Sequence, residues 1–157
     1  MSDAYDEGLR LLARRALTRA EVAERLAARG HQSDAVESAL TRLEAASAID
    51  DASLARHWIE GTATARGRGR KRAIAELAKR GVAPAVAASA WSDAVADGVV
   101  DESAMVRRAV RRRLGPAPGR ADRGRLARVY NALLYEGFER EQVASALSPY
   151  GFEGMDG

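Results

Sequence analysis

The chain has no cysteine among its 157 residues, so neither a disulfide framework nor a thiolate metal site can form. Aromatic residues make up 5% of the sequence, and there are four prolines. No apolar run approaches the roughly 20 residues that a membrane-spanning helix needs. The first seven residues are acidic and lack the apolar segment of a secretory signal. These absences favour a cytoplasmic protein with no membrane segment.

The residues that are abundant, Ala, Leu, Arg and Glu, are good helix formers. Strand-like alternation of Val, Ile and Thr is nearly absent, so the composition predicts an all-α fold. One short pattern also occurs three times. The second copy begins 51 residues after the first, and the third begins 56 residues after the second. The three copies are Leu26-Ala-Ala-Arg-Gly30, Leu77-Ala-Lys-Arg-Gly81 and Leu133-Leu-Tyr-Glu-Gly137. A unit of about 50 residues is a small helical motif that needs neighbours to bury its apolar face.

Helix-start and helix-stop signals divide each unit into three helices. Thr18 and Glu21 have the spacing of a capping box, and Gly30 is placed to end the helix that they begin. Ser33, Asp50 and Asp101 are predicted N-caps of later helices. We therefore predict about nine helices in an elongated array of three tandem three-helix repeats, curved to the right or to the left. The predicted repeats span residues 3–48, 49–98 and 99–152.

Charge is distributed unevenly along the chain. Residues 66–128 carry 16 Lys or Arg against 6 Asp or Glu, a net charge of +10, whereas residues 1–65 carry −3 and residues 129–157 carry −4. A polyanion would be attracted to such a basic middle segment. A helix face that is merely solvated is the other interpretation of these charges.

Two basic clusters lie within the middle segment. The first follows a glycine-broken turn, and the second lies on a predicted helix where 107/111 and 108/112 are i,i+4 pairs of like charge. Such pairs destabilise an isolated helix by a few tenths of a kcal/mol each, so an acidic partner is a reasonable inference. The candidate binding residues are Arg66, Arg68, Arg70, Lys71, Arg72, Arg107, Arg108, Arg111 and Arg112.

Residue patterns typical of catalysis are scarce. His31 follows a helix-ending glycine, where a residue usually packs against the preceding helix, and His57 lacks a second metal ligand at i+4. Asp50 is better explained as a helix cap than as a metal ligand. Trp58 and Trp91 fall at predicted core positions rather than at base-stacking ones. The sequence therefore favours a protein that is not an enzyme and has no cofactor or metal.

Several tracts together resemble the RecX family of recombinase regulators. They are residues 9–15, 18–30, 50–59, 66–81 and 134–138, and the resemblance covers residues 5–152. It implies a small cytoplasmic bacterial protein that binds the RecA recombinase along the groove of its filament on single-stranded DNA. Members of the family suppress ATP hydrolysis, coprotease activity and strand exchange, and thereby modulate recombinational repair and the SOS response.

We expect this chain to act as a monomer, with its basic middle segment facing the DNA-bearing filament. Two alternatives remain open from the residues alone. One is a stand-alone module that binds single-stranded DNA, and the other is a scaffold for an unrelated acidic protein. The first predicts tight binding to naked DNA with a steep dependence on salt concentration.

Overall fold

A computed structural model describes residues 3–154, which form nine α-helices and no β-strand within that range. The prediction of an all-α fold with nine helices is confirmed. None of these helices is long and apolar enough to cross a membrane. The helices are α1 (Ala4–Arg14), α2 (Arg19–Ala28), α3 (Ser33–Ala45), α4 (Asp51–Trp58), α5 (Arg70–Lys79), α6 (Pro84–Ala96), α7 (Glu102–Leu114), α8 (Arg123–Tyr135) and α9 (Arg140–Leu147).

Most helices begin where a side chain can satisfy a free backbone N–H group. Thr18 accepts a hydrogen bond from the Glu21 backbone N–H, and Glu21 accepts one from the Thr18 N–H, so the predicted capping box is present. Asp50 and Asp101 cap α4 and α7 by accepting hydrogen bonds from the backbone N–H groups of Ser53 and Ala104. The prediction for Ser33 is wrong by one residue. Gln32 already has the extended backbone conformation of an N-cap, so Ser33 lies inside the helix.

The helices pack in groups of three, which we call the first (α1–α3), second (α4–α6) and third (α7–α9) triples. In each triple the first and third helices make extensive contact. The buried residues form two separate hydrophobic clusters. One belongs to the first triple and includes Leu26 and Leu43, whereas the other is shared by the second and third triples and includes Leu77, Trp91 and Leu133. The second and third triples therefore form one packed unit.

The first and second triples meet where the C-terminal end of α5 contacts the start of α2. The hydroxyl of Thr18, which is fully buried, donates a hydrogen bond of 2.6 Å to the Arg80 carbonyl oxygen. The Arg80 guanidinium forms an ion pair with Glu21 at 2.9 Å. A Cβ atom at Gly81 would lie 2.3 Å from the Cβ of Ala20, so the two backbones approach closely. We call these four residues, Thr18, Glu21, Arg80 and Gly81, the first joint.

The second and third triples meet in an equivalent way, with the C-terminal end of α8 against the start of α5. The backbone N–H groups of Gly69 and Lys71 donate to the carbonyl oxygens of Glu136 and Gly137, at 2.7 and 3.2 Å. Glu136 also accepts hydrogen bonds from the side chains of Arg68 and Arg72. We call these six residues the second joint. The repeated glycines, Gly81 and Gly137, therefore connect the triples as well as ending their helices.

The loop between α7 and α8 is hydrogen-bonded to the segment that follows α9. α9 continues as a 3-10 turn (Ser148–Tyr150), and the Tyr150 hydroxyl donates a hydrogen bond of 2.6 Å to the Gly115 carbonyl oxygen. The ring of Phe152 stacks on that of Tyr130, with centroids 5.2 Å apart. The Tyr150 contact fixes the end of α9 beside the end of α7, and Tyr150 also lines the groove between these two helices.

Candidate functional site

Helix α7 presents four of the nine predicted binding residues to solvent. Its buried face consists of Met105, Val106 and Val110, and this places the arginines on the opposite side of the helix. Arg107, Arg108, Arg111 and Arg112 are all exposed, and none of them forms an ion pair with any residue in the described range 3–154.

A groove of about 740 Å³ runs between α7 and α9. Arg107, Arg108 and Arg111 line its α7 side, opposite a single carboxylate, that of Glu141. We call this feature the α7–α9 groove. The remaining lining is mostly small or apolar and comes from Ser103, Ala104, Ala117, Gln142, Ser145, Ala146, Pro149 and Tyr150. The arrangement is suited to an anionic partner, because three guanidinium groups that lack ion-pair partners in the described range border one accessible surface.

The glycine-broken turn of the first cluster lies beside the other side of α7. Helix α4 continues as a π-helix (Ile59–Ala63), and the turn that follows it lines a small pocket together with Arg108 and Arg112. Arg66 is exposed on this turn, and Arg70 is half-buried at the start of α5. Within the described residues, neither forms an ion pair. The structure therefore brings the turn that carries Arg66 next to Arg108 and Arg112 of α7, which sequence order alone does not show.

Arg68 and Arg72 have a different environment. Their guanidinium groups lie 2.7 and 2.8 Å from the same carboxylate oxygen of Glu136, and both also approach Glu76, at 3.3 and 3.4 Å. Their side chains are only about a fifth exposed. Lys71 pairs with Glu139 at 3.4 Å but remains exposed. Arg68 and Arg72 thus hold the second joint together, and their charges are already balanced by carboxylates.

The start of α5 is not a free anion site. Helix N-termini bind phosphate through backbone N–H groups that have no partner within the helix. Here two of those groups, from Gly69 and Lys71, already donate to the end of α8. Of the two glycines in residues 66–70, Gly69 serves close backbone approach at the second joint, since a Cβ there would lie 2.6 Å from the Gly137 carbonyl carbon. A Cβ at Gly67 would meet nothing within 4 Å, and its φ of +68° is what favours glycine at that position.

Tyr135 is a candidate functional residue that was not predicted from the sequence. Its side chain is 75% exposed, and its ring centroid lies 4.9 Å from the Cζ atom of Arg72. A signal for it was present in the repeat. Tyr135 occupies the position of Ala28 and Lys79 in the other two copies of the pattern, and all three positions are exposed. An aromatic ring at a solvated position of the repeat is the feature that could have marked it.

The two histidines and two tryptophans have structural partners. His31 pairs with Glu7 of α1 rather than with the preceding helix. The residues at the equivalent positions of the other two repeats, Val82 and Phe138, are apolar and buried, whereas the imidazole of His31 has a polar partner. Hydrogen bonds from His31 and Arg29 lower the pKa of Glu7 below its ordinary value. His57 Nδ1 lies 2.9 Å from the Ser53 carbonyl oxygen. Trp91 is 1% exposed, and Trp58 is partly buried and packs against the shared core.

Sequence-family models described as the first and second three-helix domains of RecX match residues 4–43 and 50–90. A protein named "Regulatory protein RecX" from Halorhodospira halophila is 37% identical over 141 residues, which cover 90% of this chain and 84% of that protein. The chain belongs to the RecX family. The α7–α9 groove and the two joints are therefore features of a RecX-family chain.

Two further comparisons extend this result. The "Regulatory protein RecX" of Mycobacteroides abscessus is 42% identical over 87 residues, and this alignment covers 55% of this chain but only 43% of that protein. The crystal structure of RecX from Lactobacillus salivarius superimposes with a TM-score of 0.73, covers 92% of both chains and is 19% identical. At that identity the likeness concerns the fold, which agrees with the three-helix organisation described above.

Proposed function

We propose that this RecX-family protein binds the RecA recombinase and its filament on single-stranded DNA. It inhibits ATP hydrolysis, coprotease activity and strand exchange, and so modulates recombinational repair and the SOS response. It acts as a cytoplasmic monomer with no catalytic activity of its own. Relatives named as regulatory proteins support a regulatory role in general. The observation that supports the specific proposal is the row of exposed α7 arginines that lack ion-pair partners in the described range 3–154.

The row of arginines on α7 destabilises the helix that carries it. Arg107 and Arg111, like Arg108 and Arg112, are i,i+4 neighbours of the same charge, and each pair costs the helix a few tenths of a kcal/mol. No described carboxylate offsets this cost by pairing with them. A polyanion or an acidic protein surface placed against α7 would neutralise the repulsion and release counterions. Binding of an anionic partner, rather than the stability of the folded chain, therefore accounts for the like-charged arginine pairs on α7.

The nine candidate residues divide into two roles under this proposal. The direct contacts come from the exposed or half-buried residues outside the joint ion pairs, which are Arg66, Arg70, Arg107, Arg108, Arg111 and Arg112. Arg68 and Arg72 act mainly by holding the second joint, which keeps the turn that carries Arg66 beside α7. Lys71 remains exposed despite its pairing with Glu139 and can contribute to either role.

The test is DNA-dependent ATP hydrolysis by purified RecA, titrated with this protein at substoichiometric and equimolar levels. Inhibition that grows with the amount of added protein is expected. Potent inhibition at substoichiometric levels indicates capping of filament ends, whereas inhibition near one protein per recombinase subunit indicates coating of the groove. No effect at any ratio contradicts the proposal.

The decisive variant is the double change Arg107→Glu with Arg108→Glu. It places Glu four residues before Arg111 and Arg112, which is the favourable order for helix pairs, so the thermal stability of α7 should be equal or slightly higher. Inhibition of ATP hydrolysis should nevertheless fall by at least tenfold, because two cationic contacts become repulsive. The matched control reverses two exposed arginines of the first triple, Arg14→Glu with Arg25→Glu, and should inhibit like the parent protein. If the α7 variant inhibits as strongly as the control variant and the parent protein, α7 is not part of the interface.

The stand-alone DNA-binding alternative is tested with the same variants. Binding to bare single-stranded DNA and to RecA-coated DNA is compared at two salt concentrations. The recombinase proposal expects markedly tighter binding to the coated filament. Equal affinity for bare and coated strands, with the same steep salt dependence, would favour the DNA-binding module instead.

A further inference from the structure

Tyr135 differs from the other large side chains of its neighbourhood because it lies in solvent. Phe138, Tyr130 and Leu133 are buried at 3%, 9% and 0% exposure, whereas Tyr135 in the last turn of α8 is 75% exposed. An exposed aromatic ring gains nothing from the core. A residue of this type is enriched where one surface of a protein meets a partner.

The ring is supported on one side. The Arg72 guanidinium lies 4.9 Å from the ring centroid, a cation–π distance, and Arg72 is itself fixed by Glu136 at 2.8 Å and Glu76 at 3.4 Å. Because Arg72 is anchored at the second joint, it restricts the rotamers that the tyrosine can adopt. The large exposed fraction of Tyr135 leaves much of the ring available for a second planar group.

Both lysines of the chain lie beside this ring. Of 25 cationic residues only Lys71 and Lys79 are lysines, and both line a shallow groove of about 310 Å³ together with Arg72, Glu76 and Tyr135. Lys79 has no ion-pair partner within residues 3–154, and the exposed pair between Lys71 and Glu139 is of the weak surface type. Two ammonium groups in the groove that Tyr135 lines are therefore available to contact phosphate.

We infer that Tyr135 is a stacking site for one base of a single strand of DNA, with Lys71 and Lys79 contacting the phosphates that flank that base. Aromatic side chains next to a basic groove bind single strands in this way, and every base offers a face for stacking. Bases in a duplex are already stacked, so a duplex is excluded from this contact. The inference deepens the proposed function, because it assigns a DNA contact outside the α7–α9 groove.

The test uses fluorescence anisotropy with a labelled 20-nucleotide oligo(dT) and the same backbone carrying abasic sites. Tyr135→Ala should weaken binding to oligo(dT) by roughly 5- to 150-fold, the range for loss of one stacked base. Tyr135→Phe keeps the ring and should bind like the parent protein. On the abasic strand, Tyr135→Ala and the parent should have the same affinity, because no base is there to stack. The control is Val99→Ala, another exposed apolar side chain, at 49% exposure.

Three results would overturn the inference. They are unchanged binding of oligo(dT) by Tyr135→Ala, an equal loss of affinity on the abasic strand, or no binding of oligo(dT) by the parent protein. Helicity measured by circular dichroism checks that each variant is folded, which the exposure of the side chain leads us to expect. Inhibition of RecA by the parent protein is measured separately, so failure of the stacking site and failure of the proposed function can be told apart.

Discussion

Glycines at equivalent positions of the repeat experience different neighbours. Gly30 and Gly81 both follow the end of a helix, and both have φ of +91°, a left-handed conformation that costs an L-residue about 1–2 kcal/mol. A Cβ at Gly30 would meet nothing within 4 Å, whereas one at Gly81 would collide with Ala20. The same residue type thus has a purely local role at one site and an additional packing role at the other.

We predict that Gly30→Ala lowers the free energy of unfolding by about 1 kcal/mol, from backbone strain alone. Gly81→Ala should lower it by a further 1–3 kcal/mol, since Ala20 and the first joint must move to admit the methyl group. Urea denaturation of the two variants measures both values. Equal losses would show that the approach at Gly81 is not tight in solution.

Exposed and paired arginines likewise differ although they lie close together in sequence. Arg66 is solvated while Arg68, two residues later, is about one-fifth exposed and shares Glu136 with Arg72. A run of arginines predicts positive charge, but only the partner carboxylates decide which of those charges remain available.

At the scale of the helix, both joints pair the C-terminal end of one helix with the start of another, but the positions of the positive and negative side chains are exchanged. At the first joint the cation, Arg80, belongs to the C-terminal end of a helix and the anion, Glu21, to a helix start. At the second joint the anion, Glu136, lies at the C-terminal end and the cation, Arg72, at the helix start. Because equivalent positions carry opposite charges, each helix end matches its own neighbour and repels the other.

The pKa of Glu21 makes the first joint sensitive to acid. Burial raises this pKa, but hydrogen bonds from Arg80 and from Thr18 outweigh that effect and lower it below the ordinary value of 4.5. The carboxylate therefore stabilises the folded state at all pH values above about 4.5. This contribution is lost as the pH falls through the lowered pKa, where the folded protein also takes up the proton.

We predict that Glu21→Gln reduces stability by about 1 kcal/mol at pH 7, the scale of a partly exposed charged hydrogen bond. Gln retains the capping box with Thr18, so the loss reports the charge paired with Arg80. The difference from the parent should shrink as the pH is lowered below about 4.5, as measured by denaturant unfolding across the pH range. Glu24→Gln, at an exposed position of the same helix, is the control. A difference that is independent of pH would mean that hydrogen bonding, not charge, holds this joint.

At the scale of the whole molecule, the two hydrophobic clusters divide the chain unequally. The first triple has its own core and meets the second triple through the largely polar first joint. The second and third triples share one core, although the sequence repeat treats all three units alike. The domain limits at residues 3–48, 49–98 and 99–152 remain a proposal. This proposal can be tested, because the core is shared between the second and third of these segments but not with the first.

We predict that the first triple opens independently of the other two. Leu26→Ala, in the first core, should lower local stability by about 2–5 kcal/mol and speed amide hydrogen exchange in α1–α3 only. Leu77→Ala, at the equivalent position of the shared core, should speed exchange in the second and third triples together. Uniform acceleration throughout the chain in either variant would instead indicate a single cooperative unit.

The sequence by itself determined the helices and the family. Spacing of apolar residues, the capping pairs at Thr18, Asp50 and Asp101, and the helix-ending glycines are local signals, and local signals act within a few residues. The order of the repeated tracts was also enough to identify the RecX family. The total positive charge of the middle segment followed directly from counting residues.

Only the tertiary structure decided which of those charges are free and which residues meet across the joints. Glu136 lies more than sixty positions from Arg68 and Arg72, and no periodicity within a helix predicts that the three side chains converge. The same docking places the turn that carries Arg66 beside α7 and leaves Tyr135 in solvent above Arg72. Ion pairs and burial depend on the distance between elements that are remote in sequence, and that distance is set by packing of the whole fold.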